Sequence, residues 1–111
     1  MEGISVNKDQ IERPVLLVVR SEPIRAEFES EYHEWYASHI EGLLRVSGVR
    51  TAQRFESIAG DLRFMAMYDI QSPEVMDTPA YRQEAARFDP IASEVRYTRN
   101  VYIEMPPAGP E

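Results

Sequence analysis

The spacing of apolar residues changes period along this chain, and the order of the changes leaves few folds open. After Pro14, Val15-Leu16-Leu17-Val18-Val19 is a β-branched apolar run that reads as a strand buried on both faces, with Ser21-Glu22-Pro23 expected to break it. From about Ile24 to Val46 the spacing turns helical. At about 100° per residue, Phe28, Tyr32, Trp35, Tyr36, His39, Leu43 and Val46 share one stripe. Glu29, Glu31, Glu34, Glu41 and Arg45 fall mostly outside it. Ser47-Gly48 ends the helix, Gly48 suiting a left-handed cap. Val49 to Glu56 reads as a strand, residues 57–61 as a hairpin loop, and Leu62 to Ile70 as the next strand. Ser72-Pro73 and Thr78-Pro79 each set a hydroxyl N-cap before a proline at the first helical position. They predict a short turn over 73–77 and a helix over about 79–88, which Asp89-Pro90 stops. Residues 91–96 fit no single pattern, and Tyr97 to Met105 alternates as the last strand.

The order β-α-β-β-α-β predicts an α+β fold: a ferredoxin-like split βαβ arrangement, with an antiparallel four-stranded sheet and both helices on one face. One domain over 14–105 is expected, between a polar arm at 1–13 and a proline-rich tail at 106–111. Such a sheet should carry one polar face. Strand 62–70 does not, because Met65 and Met67 alternate with Phe64 and Ala66, and strand 15–19 has no polar position. The expected cover is a second copy of the chain, sheet against sheet, in a homodimer.

Composition narrows the partners. The 12 basic residues against 19 acidic ones give a net charge of −7, which repels nucleic acid and anionic membranes. No apolar run approaches the roughly 20 residues of a membrane span. Residues 1–13 hold no apolar signal-peptide core, so a cytoplasmic location is expected. The chain has no cysteine, which removes disulfides, thiolate nucleophiles and Cys-ligated metals. Walker A, GxGxxG and GxSxG patterns are absent. His33-Glu34-Trp35-Tyr36-Ala37 begins like a zincin HExxH but ends in alanine, and His33 and His39 lie about 120° apart around a helix. Neither a metal nor a cofactor is expected. A hydrophobic or aromatic small molecule is the expected partner.

His39 is the strongest candidate for chemistry. It sits mid-stripe among Tyr32, Trp35, Tyr36 and Leu43, a helix face unusually rich in polar-tipped groups where Leu, Ile and Val pack more simply. Desolvation there favours a neutral imidazole able to act as a base near neutral pH. The plainer reading is a core histidine satisfied by a carbonyl or a tyrosine hydroxyl. His33 falls on the acidic flank and is expected to be solvated. Asp89 reads as a helix stop. Tyr36 and Tyr68 are the candidate proton donors beside His39. Tyr32, Trp35, Leu43, Phe64 and Tyr102 are the candidate binding wall, although sequence does not say which strand face meets the helix.

The segment from Glu31 to Ile40, then Leu43-Leu44-Arg45-Val46-Ser47-Gly48-Val49, resembles the EthD-like proteins of the dimeric α+β barrel superfamily. Their pattern of a Trp-Tyr pair, a His shortly after and a Leu-x-x-x-x-Gly turn is matched by Trp35, Tyr36, His39, Leu43 and Gly48. Tyr68-Asp69-Ile70 and Thr78-Pro79-Ala80-Tyr81 fit the later strand-to-helix junction. Ser47 stands where many relatives have proline. The resemblance covers roughly 14–105 and implies a ferredoxin-like protomer, a sheet-to-sheet homodimer and a pocket between the first helix and the sheet. It also implies a cofactor-independent enzyme using acid–base chemistry on an aromatic or apolar compound, as an isomerase, cyclase, lyase or decarboxylase, with a cofactor-free monooxygenase as a variant. The alternatives are a non-catalytic binding protein for a hydrophobic metabolite and an accessory subunit in which His39 is packing.

Overall fold

A computed structural model describes residues 13–105. The predicted tail 106–111 and all of the predicted arm except Arg13 lie outside those residues. The elements run β1 (Val15–Pro23), α1 (Glu29–Leu44), β2 (Val49–Glu56), β3 (Phe64–Ile70), α2 (Pro79–Ala85) and β4 (Val95–Ile103). Turns of 3-10 helix at Ala26–Phe28, Pro73–Asp77 and Ala86–Glu94 join them. The sheet order is β2-β3-β1-β4 with every pair antiparallel, the ferredoxin-like α+β arrangement that the periodicity predicts.

Several boundaries differ from the sequence reading. β1 does not break at Ser21-Glu22-Pro23. Ser21 pairs with Phe64 on one side and Tyr97 on the other, and Pro23 still faces Val95. Ser21 is only 1% exposed, and its hydroxyl is satisfied by Tyr32 at 2.7 Å. Pairing on both sides overrides a local sequence that favours a turn. β4 accordingly starts at Val95 and ends at Ile103. β3 starts at Phe64 rather than Leu62, because Leu62 takes a left-handed backbone with φ 56°. Asp89-Pro90 does not end the helical winding. Regular α-helix stops at Ala85, and 3-10 turns carry the chain through Pro90 to Glu94. At Thr78 the N-cap forms as predicted, its hydroxyl accepting from the Tyr81 N–H at 3.3 Å.

Register decides which strand faces meet the helices. Leu17 lies between Tyr68 and Val101, and Leu16 between Asp69 and Tyr102. Leu17, Tyr68, Phe64, Ala66 and Ile70 are buried beneath the helices, and Tyr32, Tyr36, His39 and Leu43 of the α1 stripe close over them. The other face carries Leu16, Val18, Met65, Met67, Phe55 and Tyr102. Leu16 is 40% exposed in the single chain, so β1 is not buried on both faces by its own fold.

Candidate functional site

A cavity of about 220 Å³ opens between α1, the sheet and the segment 79–94. Trp35, Tyr36, His39 and Leu43 of α1 line one side, where the helical spacing stacks them on one face. Leu17 and Val19 of β1 and Tyr68 of β3 form the floor. Tyr97 and Arg99 of β4, Tyr81 and Ala85 of α2, and Phe88 and Asp89 complete it.

His39 is held on two sides. Its ring lies face to face with Trp35, centroids 4.4 Å apart and planes 20° apart. Its Nδ1 is 3.3 Å from Oε2 of Glu84 on α2. The same carboxylate oxygen accepts from Arg87 at 2.5 Å, and Arg87 also donates to the Ser38 hydroxyl at 2.9 Å. Burial pushes the His39 pKa below that of free imidazole; Glu84 opposes the shift and Arg87 adds to it. Neutral imidazole is therefore the favoured form.

The two tyrosines differ. The Tyr36 hydroxyl lies 3.5 Å from the Ser21 hydroxyl, and burial pushes its pKa up to about 12. Tyr68 is 2% exposed, and among the described residues its hydroxyl meets no hydrogen-bond partner. Burial raises its pKa as well. Both stay protonated and remain donors.

No family model and no curated protein matches the chain by sequence. Solved structures match it in shape. A DABB family protein with a ferredoxin-like fold from Mesorhizobium loti superposes with a TM-score of 0.67 at 16% identity, over 86% of this chain and 100% of its own. A cofactor-independent oxygenase from Streptomyces nogalater gives 0.64 at 13% identity, over 89% and 99%. An ethyl tert-butyl ether D (EthD) family protein from Bacillus halodurans gives 0.63 at 13% identity, over 84% and 99%. The chain shares with these structures a ferredoxin-like α+β fold. At these identities the likeness establishes the fold.

Within this fold, the cavity gathers five of the eight residues that the sequence singles out: His39, Tyr36, Tyr68, Trp35 and Leu43. Three lie elsewhere. Tyr102 sits beside Leu16 on the opposite sheet face and cannot reach His39. Tyr32 and Phe64 are core residues next to the cavity, Tyr32 fully enclosed and tied to Ser21. Arg54 covers that end, its guanidinium 4.7 Å from the Tyr36 ring and 5.5 Å from those of Tyr32 and Phe64. His33 is not simply solvated. It packs edge-on against Phe64 at 4.8 Å, and its Nδ1 accepts from Arg54 at 3.1 Å.

Sequence reasoning missed Tyr81, Glu84, Phe88 and Arg99, counted Tyr97 among the aromatics without placing it in the site, and took Asp89 only as a stop. Two of the signals were present. Tyr97 and Arg99 share the β4 parity of Val101, and Tyr81, Ala85 and Phe88 follow helical spacing. Glu84 falls on the same stripe, three residues after Tyr81 and four before Phe88, but a lone carboxylate there reads as the solvated edge of the helix. Among the described residues no three His, Asp or Glu side chains converge as metal ligands.

Proposed function

We propose that this chain is a cofactor-independent enzyme that transfers a proton to or from a flat, apolar or aromatic small molecule held in the cavity. The observation that carries this reading is the buried imidazole of His39, stacked on Trp35 in the wall of an aromatic cavity that also presents the unpartnered hydroxyl of Tyr68. A base and a protonated phenol in one pocket are what isomerisation, cyclisation, elimination or decarboxylation requires. His39 removes the proton. Tyr68, with Tyr36 beside it, donates a hydrogen bond to the oxygen on which negative charge develops. Trp35, Leu43 and Phe88 hold the ring system. The name of the Streptomyces nogalater neighbour keeps a cofactor-free oxygenase as the variant reading. In that case the substrate carbanion formed at His39 reacts with dioxygen. We further infer that two copies join through the outer sheet faces, leaving both cavities open.

The test is a mass-spectrometric comparison of the parent with His39→Gln, each incubated with cell extract and with panels of aromatic and lactone compounds, with oxygen uptake recorded. A compound consumed by the parent and spared by the variant is the expected result. Oxygen uptake in step with consumption selects the oxygenase. Equal turnover by both proteins refutes the role of His39, and retention of a compound without turnover marks a binding protein.

A further inference from the structure

Gly42 lies in the last turn of α1, three residues after His39 on the same helix face, where glycine weakens a helix relative to alanine. Its neighbourhood accounts for it. A methyl group at this position would come within 2.3 Å of the Glu84 carboxyl carbon and 2.4 Å of both carboxylate oxygens. The Glu84 carboxylate therefore rests on bare helix backbone. From that seat its Oε2 reaches His39 Nδ1 at 3.3 Å, while Arg87 grips the same oxygen and ties it to Ser38 on α1.

The direction of the hydrogen bond follows from the chemistry of the pair. A carboxylate only accepts, so the hydrogen of the neutral imidazole belongs on Nδ1. Nε2, on the far side of the ring from Glu84, then keeps its lone pair. In water the neutral side chain prefers the opposite tautomer, so the fold has to impose this one. Trp35 fixes the plane of the ring and Glu84 fixes which nitrogen is bare.

We propose that Glu84, admitted to α1 by Gly42, is the positioning residue for His39 and sets it as an Nδ1–H imidazole with Nε2 as the base. This rests on the reading of His39 as the proton acceptor of the cavity, and it adds a carboxylate from a different helix to that machinery. It also explains an otherwise unfavourable glycine.

The tautomer is measurable without a substrate, by long-range ¹H–¹⁵N spectra of the full chain at a pH where His39 is neutral. The chain has only two histidines, so a His33→Gln variant assigns the signals. The parent is expected to show a proton on Nδ1 and a bare Nε2. Glu84→Gln supplies an amide that both donates and accepts, and should give mixed tautomers with a lower titration midpoint. Gly42→Ala keeps the charge, displaces it, and should move the ratio the same way. An Nε2–H parent, or a parent-like ratio in both variants, overturns the proposal. A parent-like ratio in Gly42→Ala alone overturns the part assigned to Gly42. If Glu84 sets the tautomer while His39→Gln keeps full turnover, the catalytic reading fails and takes the role of Nε2 as base with it, whereas the control of the tautomer by Glu84 stands.

Discussion

Trp35 and His39 stack face to face across one turn of α1, so the indole covers one face of the imidazole and water is kept off it. The proton balance of folding follows from this contact. Burial lowers the folded-state pKa of His39, whereas in the unfolded chain it titrates near the ordinary value of roughly 6.5. Between those two values the unfolded state holds more protons than the folded one, so stability falls as pH falls. Above the upper value the contribution is complete. The charged and titratable groups around the ring are Glu84 and Tyr81 from α2, Arg87 and Asp89 beyond it, Tyr68 and Arg99 from the sheet, and Tyr36 on α1. Melting temperature measured from about pH 7 to about pH 5 should fall more steeply for the parent than for His39→Gln. Equal slopes would show that His39 is not buried as a neutral base.

Tyr68 and Tyr32 are both enclosed, yet only Tyr32 spends its hydroxyl on the fold. Tyr68→Phe removes a group without a protein partner, so stability should stay within about 0.5 kcal/mol of the parent. Turnover of the cavity's substrate should drop roughly 10²-fold or more, since a proton donor has gone. Tyr32→Phe abandons the 2.7 Å bond to Ser21 and should cost about 1 kcal/mol while turnover is kept. Denaturant melts combined with kinetics separate the two. Equal effects from both variants would mean that the Tyr68 hydroxyl serves packing alone.

The fold was legible in the sequence because each element declares its own period. The α1 stripe from Phe28 to Val46 and the alternation in β3 need no tertiary information. The site was legible only on α1, where one stripe carries Trp35, Tyr36, His39 and Leu43 together. What was not legible depends on pairing between distant residues. Tyr97 and Tyr102 have opposite parity along β4, but which parity meets the helices is decided by the register of β4 against β1, which sends Tyr102 outward and Tyr97 into the cavity. Glu84 is one acidic residue among many until α2 is laid on Gly42. Ser21 reads as a turn residue because nothing local reveals the Tyr32 hydroxyl waiting 2.7 Å away.

Gly48, predicted as a left-handed cap, has φ 99° and sits against Val75, where an added Cβ would be 2.4 Å from Cγ2. Gly60 has a similar φ of 109° but open space around it. Gly60→Ala isolates the backbone strain, about 1–2 kcal/mol. Gly48→Ala adds a clash with a packed side chain and should cost about 1–3 kcal/mol more. Urea denaturation of both variants gives the difference. Equal costs would mean that Val75 yields freely and that the turn after α1 is not clamped by the segment 73–77.

The outer sheet face carries the remaining prediction. Leu16, Phe55 and Tyr102 are 40%, 42% and 53% exposed, and Val18, Met65 and Met67 lie among them on the same side. A continuous apolar strip on a sheet of this size seeks cover. Met67 is central in that strip, between Val18 on β1 and Gln53 on β2. In a sheet-to-sheet dimer, Met67→Glu buries a carboxylate in the apolar centre of the interface, and a charge without a partner is strongly unfavourable there. Light scattering should find the parent at twice the protomer mass and Met67→Glu at the protomer mass. Ile58→Glu, at a fully exposed loop tip, should stay dimeric. Because the cavity lies on the other side of the sheet, the His39 spectrum of Met67→Glu should match that of the parent. A monomeric parent would leave the outer face of β1 and β3 open to some other partner and remove the homodimer from the account.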